Sequence, residues 1–141
     1  MNHCPRCDDT PEDLNHLFRG CPKAKELWHS ICNPQWLQEN LNMPILDWIR
    51  TNLKSKSTYH LDMSHSWSLL FVVSLWQIWK AHNRKSFDNV ETTNTECFKI
   101  ALAYAKKIGV AFKEQRSCHR LINWLFSLLG EIKLKYGRML L

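Results

Sequence analysis

Residues 1–21 read MNHCPRCDDTPEDLNHLFRGC and contain four side chains of the kinds that bind metal ions. Cys4, Cys7, His16 and Cys21 follow the pattern C-x2-C-x8-H-x4-C. Three thiolates and one imidazole complete a tetrahedral zinc shell, and two cysteines at this short spacing can place both sulfurs on one ion. A closed shell leaves no position for water, so the spacing predicts one structural Zn²⁺. The alternative interpretation is that these cysteines are scattered by chance.

The acidic residues before His16 have two interpretations. A metal-bound histidine needs its second ring nitrogen held by an acceptor, and Glu12 and Asp13 are the nearest candidates. Equally, these carboxylates could cap the short helical turn that carries His16. The apolar patch of that turn, Leu14, Leu17 and Phe18, is expected to pack on the next helix.

Cysteine usage also bears on the cellular compartment. The chain has six cysteines, which could form disulfides in a secreted protein. Met1 leads directly into residues 2–4, without the basic segment and apolar run of a signal peptide. An intracellular chain keeps its thiols reduced, which favours metal binding. We therefore expect an intracellular protein, nuclear or cytoplasmic, and not a secreted one.

Helical spacing dominates the rest of the chain. Apolar side chains recur at intervals of three and four, which predicts helices over residues 23–31, 42–53, 65–87, 96–116 and 118–136. Asn-Pro is expected to end the first of these helices, and runs with the period of a strand are absent. The predicted fold is mainly α, with an N-terminal CCHC zinc knuckle followed by four to five helices.

Motif and charge divide the chain into three parts. Residues 1–33 are expected to form the zinc knuckle with its packing helix, 34–95 a tryptophan-rich helical part, and 96–141 a basic helical tail. The most apolar run, 67–79, is too short to span a bilayer and is interpreted as a buried helix. Its aromatic residues precede the neighbouring Lys80, Arg84 and Lys85, so core packing is favoured over base stacking.

Positive charge is concentrated in the last third. Residues 1–97 carry ten Lys and Arg against eleven Asp and Glu, whereas residues 98–141 carry nine against two. The asymmetry indicates an acidic partner, such as RNA or single-stranded DNA, or an anionic membrane surface; a solvated helix face explains it equally well. The candidate nucleic-acid contacts are Lys99, Lys106, Lys107, Lys113, Arg116, Arg120, Lys133, Lys135 and Arg138.

Two further cysteine patterns are weaker. Cys97, Cys118 and His119 offer three residues at loose spacing, which disfavours a second metal site. Cys32 is interpreted as a buried thiol, because free cysteine behaves as a small hydrophobic residue.

Several short motifs together resemble one protein family. They are Cys4-Pro5-Arg6-Cys7, Glu12-Asp13-Leu14-Asn15-His16-Leu17-Phe18, Cys21-Pro22-Lys23-Ala24, Trp28 and the segment 76–87. In this order they resemble the zinc-binding domain (zf-RVT) that follows the reverse transcriptase of plant LINE-type (non-LTR) retroelements, over roughly residues 3–87. The resemblance implies that the four N-terminal residues bind the metal, and it links the chain to reverse transcription and nucleic-acid handling.

The chain departs from that family in some positions. His82 stands where such proteins often have arginine, and Met1 lies three residues before Cys4, which suggests the tail of a longer reading frame. A Tyr-x-Asp-Asp polymerase box and the acidic array of a two-metal nuclease are both absent from the sequence. We expect no catalytic activity and no small-molecule substrate. The expected function is a structural zinc module associated with nucleic-acid binding, and the alternative is a zinc-stapled structural or protein-interaction module.

Overall fold

A computed structural model of the chain describes residues 3–7, 13–59 and 62–112, together with Asn123 and Ser127. The protein is mainly helical, as predicted. Its α-helices in the described ranges are α1 (Pro22–Ile31), α2 (Pro34–Asn40), α3 (Ile45–Lys54), α4 (Trp67–Asn83) and α5 (Asn94–Phe112). Two π-helical turns, His16–Gly20 and Arg84–Asp88, precede α1 and follow α4.

Helix α1 has the predicted apolar face. Its residues Ala24, Leu27, Trp28 and Ile31 are all buried. The face packs on the π-helical turn before it, where Leu17 and Phe18 are also buried. The indole Nε1 of Trp28 donates a hydrogen bond of 2.7 Å to the carbonyl oxygen of Phe18. The expected contact between the first helix and the apolar patch beside His16 is therefore confirmed.

The structure adds a helix that the sequence analysis did not predict. Pro34 follows the end of α1, as expected, but it also occupies the first turn of α2. Proline suits that position because it has no backbone N–H to leave unpaired. The Asn33 side chain caps the helix by accepting a hydrogen bond of 2.8 Å from the backbone N–H of Trp36. Helix α3 then begins at Ile45 instead of near residue 42, with Pro44 as its N-cap.

A short β-ribbon separates α3 from α4. Strands β1 (Thr58–Tyr59) and β2 (Asp62–Ser66) pair in the antiparallel sense. Helix α4 begins directly after β2, and its first backbone N–H, at Trp67, donates to the carbonyl oxygen of Ser57 at 3.0 Å. Most side chains of α4 are buried, on more than one face. Within the described ranges, no helix combines the length and apolarity needed to cross a membrane.

Helix α5 lies against α4 and α1. Thr93 and Glu96 form a capping box, because each side chain accepts a hydrogen bond of 3.2 Å from the other's backbone N–H. The inward face of α5 contains Cys97, Ala101 and Ala105, all buried. The predicted helix over 118–136 lies outside the described residues, apart from Asn123 and Ser127.

Aromatic rings fill the centre of the core. Trp28 lies between Trp48 and Phe71, with ring centroids 5.4 Å and 5.5 Å away. Buried apolar residues form a single cluster that runs from Cys4 to Ala105. That cluster includes residues from all three predicted parts of the chain, and the division into parts stays a prediction.

Candidate metal centre

The four predicted ligands converge at one place in the fold. The Sγ atoms of Cys4, Cys7 and Cys21 and a ring nitrogen of His16 all lie within 4.8 Å of one another. The Sγ atoms of Cys4 and Cys21 are 3.8 Å apart, and Cys7 Sγ is 3.3 Å from His16 Nε2. All five described cysteines are free thiols. The arrangement is compatible with a metal site.

The distances can be compared with those of a tetrahedral zinc shell. Zinc–sulfur bonds of about 2.3 Å place two sulfurs about 3.8 Å apart, and a sulfur and an imidazole nitrogen about 3.6 Å apart. The Cys4–Cys21 separation of 3.8 Å matches the first value, and the Cys7–His16 separation of 3.3 Å is slightly shorter than the second. The widest ligand separation, 4.8 Å, needs a contraction of about 1 Å to reach such a shell. The donor types are those that zinc prefers, and the two closest separations are near those of its shell.

Two local structures place these side chains. The tight turn over residues 5–7 brings Cys7 back beside Cys4. The π-helical turn carries His16, and Cys21 caps the N-terminus of α1 directly after it. The Cys21 backbone N–H donates a hydrogen bond of 2.7 Å to the carbonyl oxygen of His16, which holds the last two ligands together.

Asp13 acts as a cap and not as the acceptor for the imidazole. Its Oδ1 atom accepts a hydrogen bond of 2.7 Å from the backbone N–H of His16. Its backbone carbonyl accepts a second bond, of 2.9 Å, from the N–H of Leu17. The capping interpretation of this carboxylate is therefore confirmed, while Glu12 lies outside the described residues. A Cβ at Gly20 would lie 3.6 Å from His16 Nδ1, an ordinary van der Waals contact, so the space beside the imidazole does not require glycine there.

Hydrogen bonds to sulfur favour a thiolate in the site. The pKa of Cys21 is lowered to about 5, first by the hydrogen bond from the Cys4 thiol and then by the backbone N–H groups of Lys23 and Ala24. The pKa of Cys4 is raised, because its proton is held in that same bond and because the side chain is buried. Backbone N–H groups of Arg6 and Cys7 also face the Cys4 sulfur and act in the opposite direction. The two sulfurs thus share one proton, which a divalent cation could replace.

Arg6 connects this site to the loop before α5, a contact that the sequence analysis did not predict. Its side chain is 5% exposed, although it lies in the turn between two metal-ligand cysteines. Nη2 lies 3.4 Å from Oε1 of Glu91, a residue 85 positions later in the chain. Asn94 adds a second link nearby, because its amide donates to Ser30 Oγ of α1 at 2.7 Å. Because these contacts join residues 85 and 64 positions apart, the spacing of neighbouring residues in the sequence gives no sign of them.

The predicted nucleic-acid contacts are partly described. Lys99, Lys106 and Lys107 are exposed on α5, as the helical pattern predicts. These positions are not close in sequence to the metal ligands, and the structure gives no contact between the two groups. The remaining predicted contacts lie outside the described residues; they are Lys113, Arg116, Arg120, Lys133, Lys135 and Arg138.

The structure describes two cysteines outside the ligand cluster, Cys97 and Cys32. Cys97 is buried, and burial raises its pKa, so it is held as a thiol. Its two candidate partners, Cys118 and His119, lie outside the described residues. Cys32 is buried as predicted, and burial raises its pKa as well. Among the described side chains, no further group of three metal-binding types converges.

Core packing, and not base stacking, occupies most aromatic residues of the long helix. Trp67, Phe71 and Trp79 are buried, which confirms the core interpretation. His82, the position that departs from the resembled family, is 1% exposed and stacks on Trp79 with ring centroids 5.6 Å apart.

Comparison with protein-family models, curated proteins and solved structures gives no match.

Proposed function

We propose that this chain is a zinc-stapled helical module of the zf-RVT type that associates with nucleic acid and has no catalytic activity of its own. The observation that carries the proposal is the convergence of three cysteines and one histidine within 4.8 Å. A four-ligand thiolate and imidazole shell is closed to water, so its role is structural. The resemblance in residues 3–87 supplies the connection with reverse transcription.

Burial supports the structural role of the metal. Cys4 and Cys21 are 1% and 2% exposed, and they belong to the same apolar cluster as Trp28 and Phe71. A metal ion held there would tie the N-terminal turn to the helical core. The Arg6–Glu91 and Asn94–Ser30 contacts extend that tie to the loop before α5 and to α5 itself.

The basic side chains of α5 support the nucleic-acid part. Lys99, Lys106 and Lys107 are exposed, and among the described residues no carboxylate forms an ion pair with any of them. Phosphate contacts by such residues position a protein on a strand without reading its sequence. We therefore expect binding that is sensitive to salt and tolerant of sequence.

The test measures zinc content and strand binding on the same purified chain. We expect one zinc per chain, and binding of a short single-stranded RNA or DNA that weakens with salt. Replacing Lys99, Lys106 and Lys107 by glutamine should make the slope of log affinity against log salt shallower by about 2, since each single-strand phosphate contact contributes about 0.7. Side-chain substitution is preferable to truncation, because Ala101 and Ala105 of the same helix are in the core.

A matched control removes the same charge elsewhere. Lys25, Arg50 and Lys80 are exposed on α1, α3 and α4, so their triple glutamine variant has the same net charge as the α5 variant. If both variants lose affinity equally, net charge and not α5 governs binding. If the unaltered chain binds no strand at physiological salt, the nucleic-acid part of the proposal is wrong and the structural role remains.

Exposed apolar residues support a second candidate, a protein-interaction module. Ile100 and Tyr104 are 38% and 46% exposed and lie one turn apart on α5. Phe87, in the second π-helical turn, is 71% exposed. Replacing Ile100 and Tyr104 by serine should leave strand binding unchanged and weaken only association with a protein partner.

A further inference from the structure

A pocket lies between α2, α3 and the start of α4, apart from the metal ligands and the α5 lysines. Its volume is about 300 Å³, at the lower end of the range for ligand sites. Trp36 and Trp67 line it together with three residues that carry hydroxyl groups, Thr51, Ser55 and Ser57. A space of this size fits one small planar ring system better than an extended ligand.

Other tryptophan rings pack against Trp36, the partly exposed aromatic side chain that lines the pocket. Trp36 is half-buried, and its ring lies against Trp28, Trp48 and Trp67 at centroid distances of 6.0, 6.3 and 5.2 Å. These contacts fix the orientation of the indole and leave part of it lining the pocket. An aromatic surface that is rigid before binding loses little conformational entropy when a flat ligand stacks on it.

Buried amides fix the second tryptophan. The indole N–H of Trp67 donates to Asn52 Oδ1 at 2.8 Å. The Asn52 amide in turn donates to the carbonyl oxygen of Trp48 at 2.8 Å and to Asn40 Oδ1 at 3.3 Å. These amide and indole groups are therefore committed to each other. Two of the lining hydroxyl groups also have partners: Thr51 Oγ1 donates to Met43 Sδ at 3.6 Å, and Ser55 Oγ accepts from the backbone N–H of Ser57 at 3.2 Å. Thr51 can still accept a hydrogen bond from a ligand, and Ser55 can still donate one.

Charge around the pocket narrows the kind of ligand. The side chains that line it are all uncharged, so the part of a ligand that enters it should be neutral. Lys54 and Lys56, both exposed, stand on either side of the lining residue Ser55 in the sequence. Proteins that bind single strands combine an aromatic stacking surface for bases with cations for the phosphates. A neutral sugar could also stack on the aromatic wall, but it has no negative charge to pair with Lys54 and Lys56.

We propose that this pocket binds one unpaired base of a single-stranded nucleic acid, with the base stacked on Trp36 and the adjoining phosphates near Lys54 and Lys56. The proposal rests on the nucleic-acid part of the proposed function and adds a base-binding site to it. A hydroxyl group can donate or accept a hydrogen bond, so lining residues of this kind need not select one base. Because the lysines beside Ser55 and those of α5 lie on different parts of the chain, their contributions to binding can be separated by substitution.

The test measures affinity of the zinc-loaded chain for a short fluorescently labelled single strand. Trp36→Ala should weaken binding about 5-fold to 150-fold, the range for loss of a base-stacking aromatic residue. Because that change also removes packing on the tryptophan cluster, a second variant, Thr51→Phe, blocks the pocket from an exposed position of α3. It should weaken binding in the same range. Lys54→Gln, which removes a cation next to the lining residue Ser55, should weaken binding more than the control Lys80→Gln on α4, which removes one cation elsewhere.

A second measurement uses a free nucleoside as the probe and the Trp36 indole NMR signal as the readout. A shift of that signal, together with weaker strand binding by Thr51→Phe, supports the proposal. If the strand binds but Thr51→Phe binds it as tightly as the unaltered chain, the pocket proposal is overturned and the α5 hypothesis stands. If no strand binds, the pocket proposal and the α5 hypothesis are both overturned, even when the nucleoside shifts the Trp36 signal.

Discussion

Replacing Cys7 by serine isolates the contribution of one metal ligand from that of core packing. Cys4 and Cys21 are 1% and 2% exposed, so changing either would also disturb the core. Cys7 is only partly buried, and its sulfur lies 3.3 Å from His16 Nε2. Serine keeps the size of the side chain and removes the soft thiolate that zinc prefers. We expect the variant to bind zinc much more weakly and otherwise to keep the fold of its helices.

The expected size of the effect follows from the ligand count. Structural zinc sites bind with about 10 kcal/mol or more, so one ligand of four contributes about 2.5 to 3 kcal/mol, or roughly 100-fold in affinity. At free zinc equal to about 100 times the dissociation constant, binding stabilises the folded state by about 2.7 kcal/mol. A site weakened 100-fold would keep only about 0.4 kcal/mol under that condition. For a chain of this size the difference lowers the melting temperature by roughly 5 to 12 °C.

The assay is thermal unfolding at fixed free zinc, with metal content measured on the same samples. Cys32→Ala is the matched control, because it removes a buried thiol that lies outside the ligand cluster. That variant should retain one zinc, and chelator should lower its melting temperature as it does for the unaltered chain. In excess chelator, Cys7→Ser and the unaltered chain should melt together. Full zinc occupancy and an unchanged zinc-dependent melting shift in Cys7→Ser would refute the ligand assignment.

Three further predictions concern stability. Chelation should disorder residues 3–21 while much of α3 to α5 stays helical, since those helices pack on each other; complete loss of far-ultraviolet dichroism would contradict this. Trp28→Phe should destabilise by about 2 to 4 kcal/mol in urea unfolding, because it removes the 2.7 Å bond to Phe18 and opens a small cavity. Burial, with the nearby Cys32, raises the pKa of Tyr59 to about 12, above its ordinary value near 10. Its contribution to stability is therefore complete below about pH 10 and lost as the pH rises through about 12, a loss that should shrink in Tyr59→Phe.

Local patterns in the sequence predict the parts of this structure that depend on neighbouring residues. The metal-ligand set lies within residues 4–21, and the buried face of α1 repeats at helical spacing, so both could be identified from spacing alone. The sequence analysis does not predict helix α2, because an Asn-Pro pair can either end one helix or begin the next. The structure shows that it begins α2, since the Asn33 side chain caps that helix. The β-ribbon is too short to show a strand period.

Long-range contacts would give a metal ion bound at this site a role that the spacing of its ligands in the sequence does not reveal. The Arg6–Glu91 pair joins residues 85 positions apart, and Asn94 reaches α1 from the start of α5. A metal ion that holds Cys4 and Cys7 against Cys21 would fix the turn that carries Arg6. The same ion would hold the N-terminus of α1. In the last turn of that helix, Ser30 Oγ accepts a hydrogen bond from the Asn94 amide. Because one end of α5 is anchored through both links, the metal centre would help to set where the exposed lysines of that helix lie, although none of them is near a ligand in sequence. The structural and nucleic-acid roles proposed above are thus compatible, since a structural ion can contribute to binding by positioning residues that do not contact it.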